Sequence, residues 1–235
     1  MTDWLKYKFH PSSLGKVMTP GKAKDDVLGE TCKAHLLECW IKETYGRVKD
    51  IQNKYIEKGR AVEEDSITLY SRACKKFMKK NTAVIENDYL IGTPDLIDGE
   101  TIVDIKSCWD IHTFFSVFHK PVNKDYAWQL SAYVELMKKK YGRLVYCLVD
   151  TPEVLINDAK RQLQYRMGVI DPVAHPLYQE ACERIEKEMT FGDIPINRRY
   201  IEFDIDLAKY KIETAYEKID LCREFLQSLD KAYNP

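Results

Sequence analysis

Asp88-Tyr-Leu-Ile-Gly-Thr-Pro-Asp95-Leu-Ile-Asp-Gly-Glu-Thr-Ile-Val-Asp104-Ile105-Lys106-Ser107 is the stretch on which the reading of this chain turns. Tyr89 to Ile91 read as a short strand, Gly92-Thr-Pro as a bend and Asp98-Gly99 as a tight turn. Thr101 to Ser107 form a second, strongly β-prone run. Side chains alternate along a strand, so Asp104 and Lys106 share one face while Val103 and Ile105 take the other. Asp95 stands just before the turn, at the mouth of the paired strand. Two carboxylates and an ammonium therefore converge on one sheet surface. Nothing about building a strand calls for them.

Such a pair of carboxylates suits a hard divalent cation such as magnesium, which takes oxygen ligands and keeps several waters. A lysine beside the ion can orient an attacking water and offset charge on a phosphate oxygen. For a lone Asp-x-Lys, a solvated hairpin with a surface ion pair is the plainer account. Pro94-Asp95, nine residues before Asp104 and across a hairpin, turns the balance toward a site.

The stretch resembles the PD-(D/E)XK nuclease superfamily, with Pro94-Asp95 followed by Asp104-Ile105-Lys106 as its D-x-K element. The resemblance implies that Asp95 and Asp104 bind the metal, helped by the main-chain carbonyl of Ile105. Lys106 is then the catalytic lysine. It also implies magnesium as the ion, with manganese able to substitute, and DNA as the substrate.

Two flanking helices carry further signals. Residues from about 50 to 80 read as one long helix containing Gly59, where a mid-helix glycine costs about 1 kcal/mol against alanine. Glu63 lies one turn later on the same face, ahead of Glu64 and Asp65, and a solvated acidic patch is the bland account of the three. Gly-x-x-x-Glu before the Pro-Asp hairpin is similar to a helix of phage recombination exonucleases of the lambda type. That similarity implies a place for Glu63 beside the metal, directly or through water. Lys75, Lys76, Lys79 and Lys80 read as a solvated helix end or as phosphate contacts.

A second helix, about 125 to 140, holds Gln129 and Tyr133 on one face. Placed one helix after the D-x-K element, Gln129-x-x-x-Tyr133 resembles the Q-x-x-x-Y element of RecBCD-type nuclease domains. Gln129 is then expected near the metal or the scissile phosphate, and Tyr133 at the DNA or propping the site. Between hairpin and helix, Trp109, Phe114, Phe115 and Phe118 read as core, or as a surface for stacking on a separated strand.

Composition bounds the remainder. A chain of 235 residues with 45% hydrophobic and 31% charged content is long enough for one sizeable α/β domain. No apolar run approaches the roughly 20 residues needed to span a bilayer, and the start lacks the apolar core of a signal peptide. The seven cysteines are scattered, with no Cys-x-x-Cys pair, which reads as reduced thiols in a cytosol without zinc. An iron-sulfur relative is disfavoured because clustered C-terminal cysteines are missing. A net charge of −1 places any DNA contact in local patches.

Residues 19–26 read as a polar loop, 30–45 as a helix, 82–91 and 143–150 as strands, and 153–167 and 177–189 as helices. The alternating run 199–204 reads as a strand and 207–229 as a closing amphipathic helix. The expected fold is α/β, a single restriction-endonuclease-like domain with an αβββαβ core, a central mixed sheet and extra flanking helices. The leading functional expectation is a magnesium-dependent DNA exonuclease of phage recombination or repair. A structure-selective or restriction-like endonuclease and a catalytically silent DNA-binding protein are the alternatives. A homo-oligomer and a single-strand annealing protein are further partners to consider. In lambda-type exonucleases a basic residue and a serine seven positions later grip the 5′-phosphate, and Lys6 and Ser13 stand at that separation, with Lys where Arg is expected.

Overall fold

A computed structural model describes residues 2–22, 26–49 and 54–233. Residues 23–25 of the expected polar loop and 50–53 at the expected start of the long helix lie outside the described residues. The helices are α1 (Leu14–Val17), α2 (Glu30–Tyr45), α3 (Lys54–Ala61), α4 (Glu63–Ala73), α5 (Ile111–Ser116), α6 (Lys124–Leu136), α7 (Glu153–Met167), α8 (Pro176–Met189) and α9 (Ile212–Tyr233). The strands are β1 (Ile85–Glu86), β2 (Ile91–Gly92), β3 (Leu96–Asp98), β4 (Thr101–Ser107), β5 (Tyr141–Cys147) and β6 (Tyr200–Asp204).

β3 to β6 form one mixed sheet in that order: β3–β4 and β5–β6 antiparallel, β4–β5 parallel. The turn expected at Asp98-Gly99 is there. Asp98 pairs with Thr101, and Gly99 takes a φ of +59°, a left-handed conformation that glycine adopts without penalty. β4 cannot reach its parallel neighbour by a tight turn, so the chain crosses over through α6. α6 opens on a capped end, Asn123 accepting the Asp125 N–H, with Asp125 itself favoured in the first turn.

Each face of the sheet has its own cover. Val103, Ile105, Val145 and Cys147 pack against Val62, Ile67 and Tyr70 of the α4 side. Ile102 and Leu144 pack against Leu130, Tyr133 and Val134 of α6. A separate core joins the N-terminal segment (Trp4, Phe9, Leu14, Val17) to Leu36 of α2 and to Ile212, Ile219 and Leu226 of α9.

Two expectations are corrected. The long helix is broken at Val62 into α3 and α4 and ends at Ala73, so Lys75 to Lys80 lie beyond it in irregular chain. At the break Val62 takes φ −111° and ψ 14°, off helical values, and is 1% exposed. The expected strand 82–91 is reduced to β1 and β2, which pair with each other outside the main sheet.

Candidate active site

The alternation of β4 turns Asp104 and Lys106 toward α6, while Val103 and Ile105 enter the opposite layer. Asp104 is 1% exposed. Its Oδ1 accepts from Gln129 Nε2 at 2.9 Å and from Lys106 Nζ at 3.1 Å. Lys106 Nζ also lies 3.5 Å from Gln129 Oε1 and 4.7 Å above the Tyr126 ring. Asp95 precedes β3 by one residue, and the register Leu96↔Val103 carried one step back sets it beside Asp104. Its Oδ2 accepts the Ile105 N–H at 2.8 Å. In an extended strand the N–H and C=O of one residue leave from the same edge, so the Ile105 carbonyl opens beside Asp95, past the end of β3.

The electrostatics of this cluster are those of two acids crowded out of water. Burial, then the neighbouring Asp104, hold the Asp95 carboxyl above the usual carboxylate range. Burial does the same for Asp104, opposed by Lys106. Burial also works against the Lys106 ammonium, but the adjacent Asp104 prevails and raises it. Asp104 Oδ2 is buried without a hydrogen bond: Lys106 Nζ lies 2.9 Å away at ion-pair distance but off the bonding direction. An orphaned buried carboxylate oxygen, a second carboxylate with a spare oxygen and a main-chain carbonyl form a donor set that fits a hard divalent cation. Among the described residues no three His, Cys, Asp or Glu side chains converge.

Glu63 opens α4 and lines the same cleft as Asp95, Ile105, Lys106 and Ser107, a space of about 480 Å³. It is drawn aside by an ion pair with Lys80 at 3.0 Å. Tyr133 is buried rather than exposed toward a ligand. It lies against Gly92, where a Cβ would sit 3.0 Å from the hydroxyl and 2.9 Å from Pro11 Cδ. The phenol thus props the backbone that leads into Asp95. Lys6 and Ser13 are not joined by any hydrogen bond or ion pair among the described residues. The Lys6 side chain is 84% exposed and pairs with Asp3, and the Ser13 hydroxyl donates to His10 O. Phe114 is buried, whereas Phe115 and Phe118 are exposed with near-parallel rings 6.2 Å apart.

Several residues of the cleft carried no readable signal. Arg60 and Tyr55 line it from α3, and Tyr126 lies under the Lys106 ammonium. Ser66 and Ser107 share a hydrogen bond at 2.7 Å that ties α4 to the end of β4. In sequence Arg60, one residue past Gly59 on a helix leading to Glu63, is indistinguishable from a solvated arginine.

No protein-family model and no curated protein matches the chain. Solved structures do. A phage-related exonuclease from Haemophilus somnus 129PT superposes with a TM-score of 0.75 at 22% identity, covering 97% of this chain and 96% of that one. The alkaline exonuclease LHK-Exo from Laribacter hongkongensis gives 0.62 at 14% identity, over 96% and 90% of the two chains. The same enzyme in complex with dAMP gives 0.61 at 14% identity, over 97% and 92%. By its fold, from the N-terminal segment to α9, this chain stands with the phage-related and alkaline exonucleases.

Proposed function

We propose that the chain is a metal-dependent DNA exonuclease that hydrolyses phosphodiester bonds. The observation that carries this reading is the buried, unbonded Asp104 Oδ2 close to Asp95 and Lys106, which line one open cleft. Exonucleases that share the fold, one solved with dAMP, support the same substrate class. When bound between Asp95, Asp104 and the Ile105 carbonyl, a magnesium ion, or manganese in its place, supplies a Lewis acid that makes a bound water nucleophilic near neutral pH. The chain's own residues do the rest. Gln129 Nε2 holds the Asp104 carboxylate in one orientation. Lys106, steadied by Asp104, Gln129 and the Tyr126 ring, presents its ammonium to the water and to the phosphate oxygen that gains charge. Glu63 adds a carboxylate at the rim, and Arg60, without an ion pair among the described residues, offers a contact for a neighbouring phosphate. The setting we propose is cytoplasmic DNA recombination or repair of the phage or bacterial kind.

Digestion of linear and covalently closed circular DNA, with magnesium or with EDTA, tests the reading. Loss of linear DNA alone, and only with the metal, is the expected result. Cutting of the circle makes the enzyme an endonuclease on the same centre. No metal-dependent loss of either form defeats the nuclease reading.

A further inference from the structure

Helix α3 forms one wall of the cleft, yet its attachment to the rest of the protein is unusual. Tyr55, Ile56, Glu57, Arg60 and Ala61 are exposed and Gly59 is half-buried, so among the described side chains of α3 only Lys58 is buried. It is 1% exposed, one of the largest fully enclosed side chains in the molecule. A helix ordinarily docks through an apolar stripe. This one docks through an ammonium.

The surroundings of Lys58 explain how that succeeds. Nζ donates to the main-chain oxygen of Trp109 at 2.8 Å. It also lies 5.8 Å from the Trp109 ring centre and 5.4 Å from that of Phe191, within the range of a cation–π contact. Among the described residues it has no ion-pair partner, and burial pulls its pKa down from 10.5 to about 8. One turn earlier the Tyr55 ring meets the Trp109 ring edge-on, centroids 5.0 Å apart. Trp109 lies two residues past the end of β4, whose register with β5 continues through Cys108 N–H to Cys147 O at 2.8 Å. The opposite end of the grip is the turn before Glu63, since Lys58 O accepts the Val62 N–H at 3.0 Å.

We infer that Lys58 is a positioning residue: it pins α3 to the end of β4 and thereby sets where Arg60 and Glu63 stand over the Asp95–Asp104 pair. The ammonium itself does not reach the cleft. It acts through the helix it holds, and the functional half of this inference rests on the nuclease reading above. The pin is placed where a small shift matters, because the cleft has Tyr55, Ile56, Gly59, Arg60 and Glu63 on one wall and Lys106 and Ser107 on the other.

Lys58→Met removes the donor and the charge while keeping the length of the side chain. In the metal-free protein, amide hydrogen exchange over residues 55–62 should quicken about tenfold, with the amides of β4 and β5 unchanged. The melting temperature should stay level or rise, because a buried unpaired charge is gone. On linear DNA, kcat should fall about tenfold while KM moves less than about threefold, a split that general loss of folded protein does not produce. Lys58→Ala, which also removes the stem, should quicken exchange further and serves if methionine is not accommodated. Wild-type exchange in α3 together with wild-type kcat in a folded variant overturns the inference. So does faster exchange spread evenly over the sheet. If the wild-type protein digests no DNA but α3 exchange still responds, the nuclease reading has failed and the pin stands.

Discussion

Asp104 and Lys106 meet at 2.9 Å beneath α6, and their substitution separates holding a metal from building the fold. Asp104→Asn should abolish cleavage and leave the metal-free melting temperature no lower, since Asp95 remains to balance Lys106 and the crowding of two acids is relieved. Near-wild-type digestion by that variant removes Asp104 from the centre. Lys58 offers a prediction in pH. Its proton leaves near pH 8 in the folded chain and near 10.5 in the unfolded one, burial outweighing the upward pull of Cys108, Asp150 and Asp110. The charged form therefore weighs on the folded state in full below about pH 8, and that burden fades as pH climbs toward 10.5. The melting-temperature advantage of Lys58→Met over wild type should be largest near pH 7 and shrink toward pH 10. A gap that is flat with pH contradicts a buried charge. The shared face of Asp104 and Lys106 was legible from the strand period, whereas Asp95 and Gln129 were singled out through the motif resemblance. Lys58 was not, because in the run Glu57-Lys58-Gly59-Arg60 a pinned lysine looks like any solvated one.

Among elements, the β3–β4 hairpin was readable from Asp98-Gly99, and the parallel crossover from a continuous apolar strand closely following a helix. The break between α3 and α4 was not, because nothing in the local sequence marks the non-helical angles of Val62. Nor was the shortness of β1 and β2 readable: their segment is shared with the N-terminal strand-like residue Phe9, which bridges to Leu90. The bend at Gly92 shows how closely these parts fit. Pro11, Tyr133 and the Gly92 backbone leave no room for a methyl group. Gly92→Ala should lower stability by about 1–3 kcal/mol and displace Asp95. Adding Tyr133→Phe, which deletes the hydroxyl at 3.0 Å while leaving ring carbon Cε1 at 3.0 Å and Pro11 Cδ at 2.9 Å, should restore a small part of that loss in thermal unfolding. If the double variant is no better than the single, the phenol is not the obstacle.

Over the whole molecule, the mixed sheet with helices on both faces follows from the alternation of strand and helix signals. The clasp between the two ends of the chain does not, since no local pattern tells the N-terminal aromatics which helix will cover them. A cation that binds only the folded chain must stabilise it, so saturating magnesium should raise the melting temperature by roughly 5 °C. Asp104→Asn should show no such rise, and an equal rise in both proteins assigns the ion elsewhere. The clasp has a consequence for biosynthesis. Arg223 of α9 donates to Tyr7 O at 3.0 Å and also to Asp88 O, across a sequence separation of 216 residues for the first of these. Trp4, Phe9, Leu14 and Leu36 are thus made well before α9, the helix that covers them. At about 5–20 residues per second, translation leaves those side chains uncovered for roughly ten seconds to most of a minute. A nascent chain stalled before α9 should hold its mixed sheet and still be bound by holdase chaperones through Trp4, Phe9, Leu14 and Leu36.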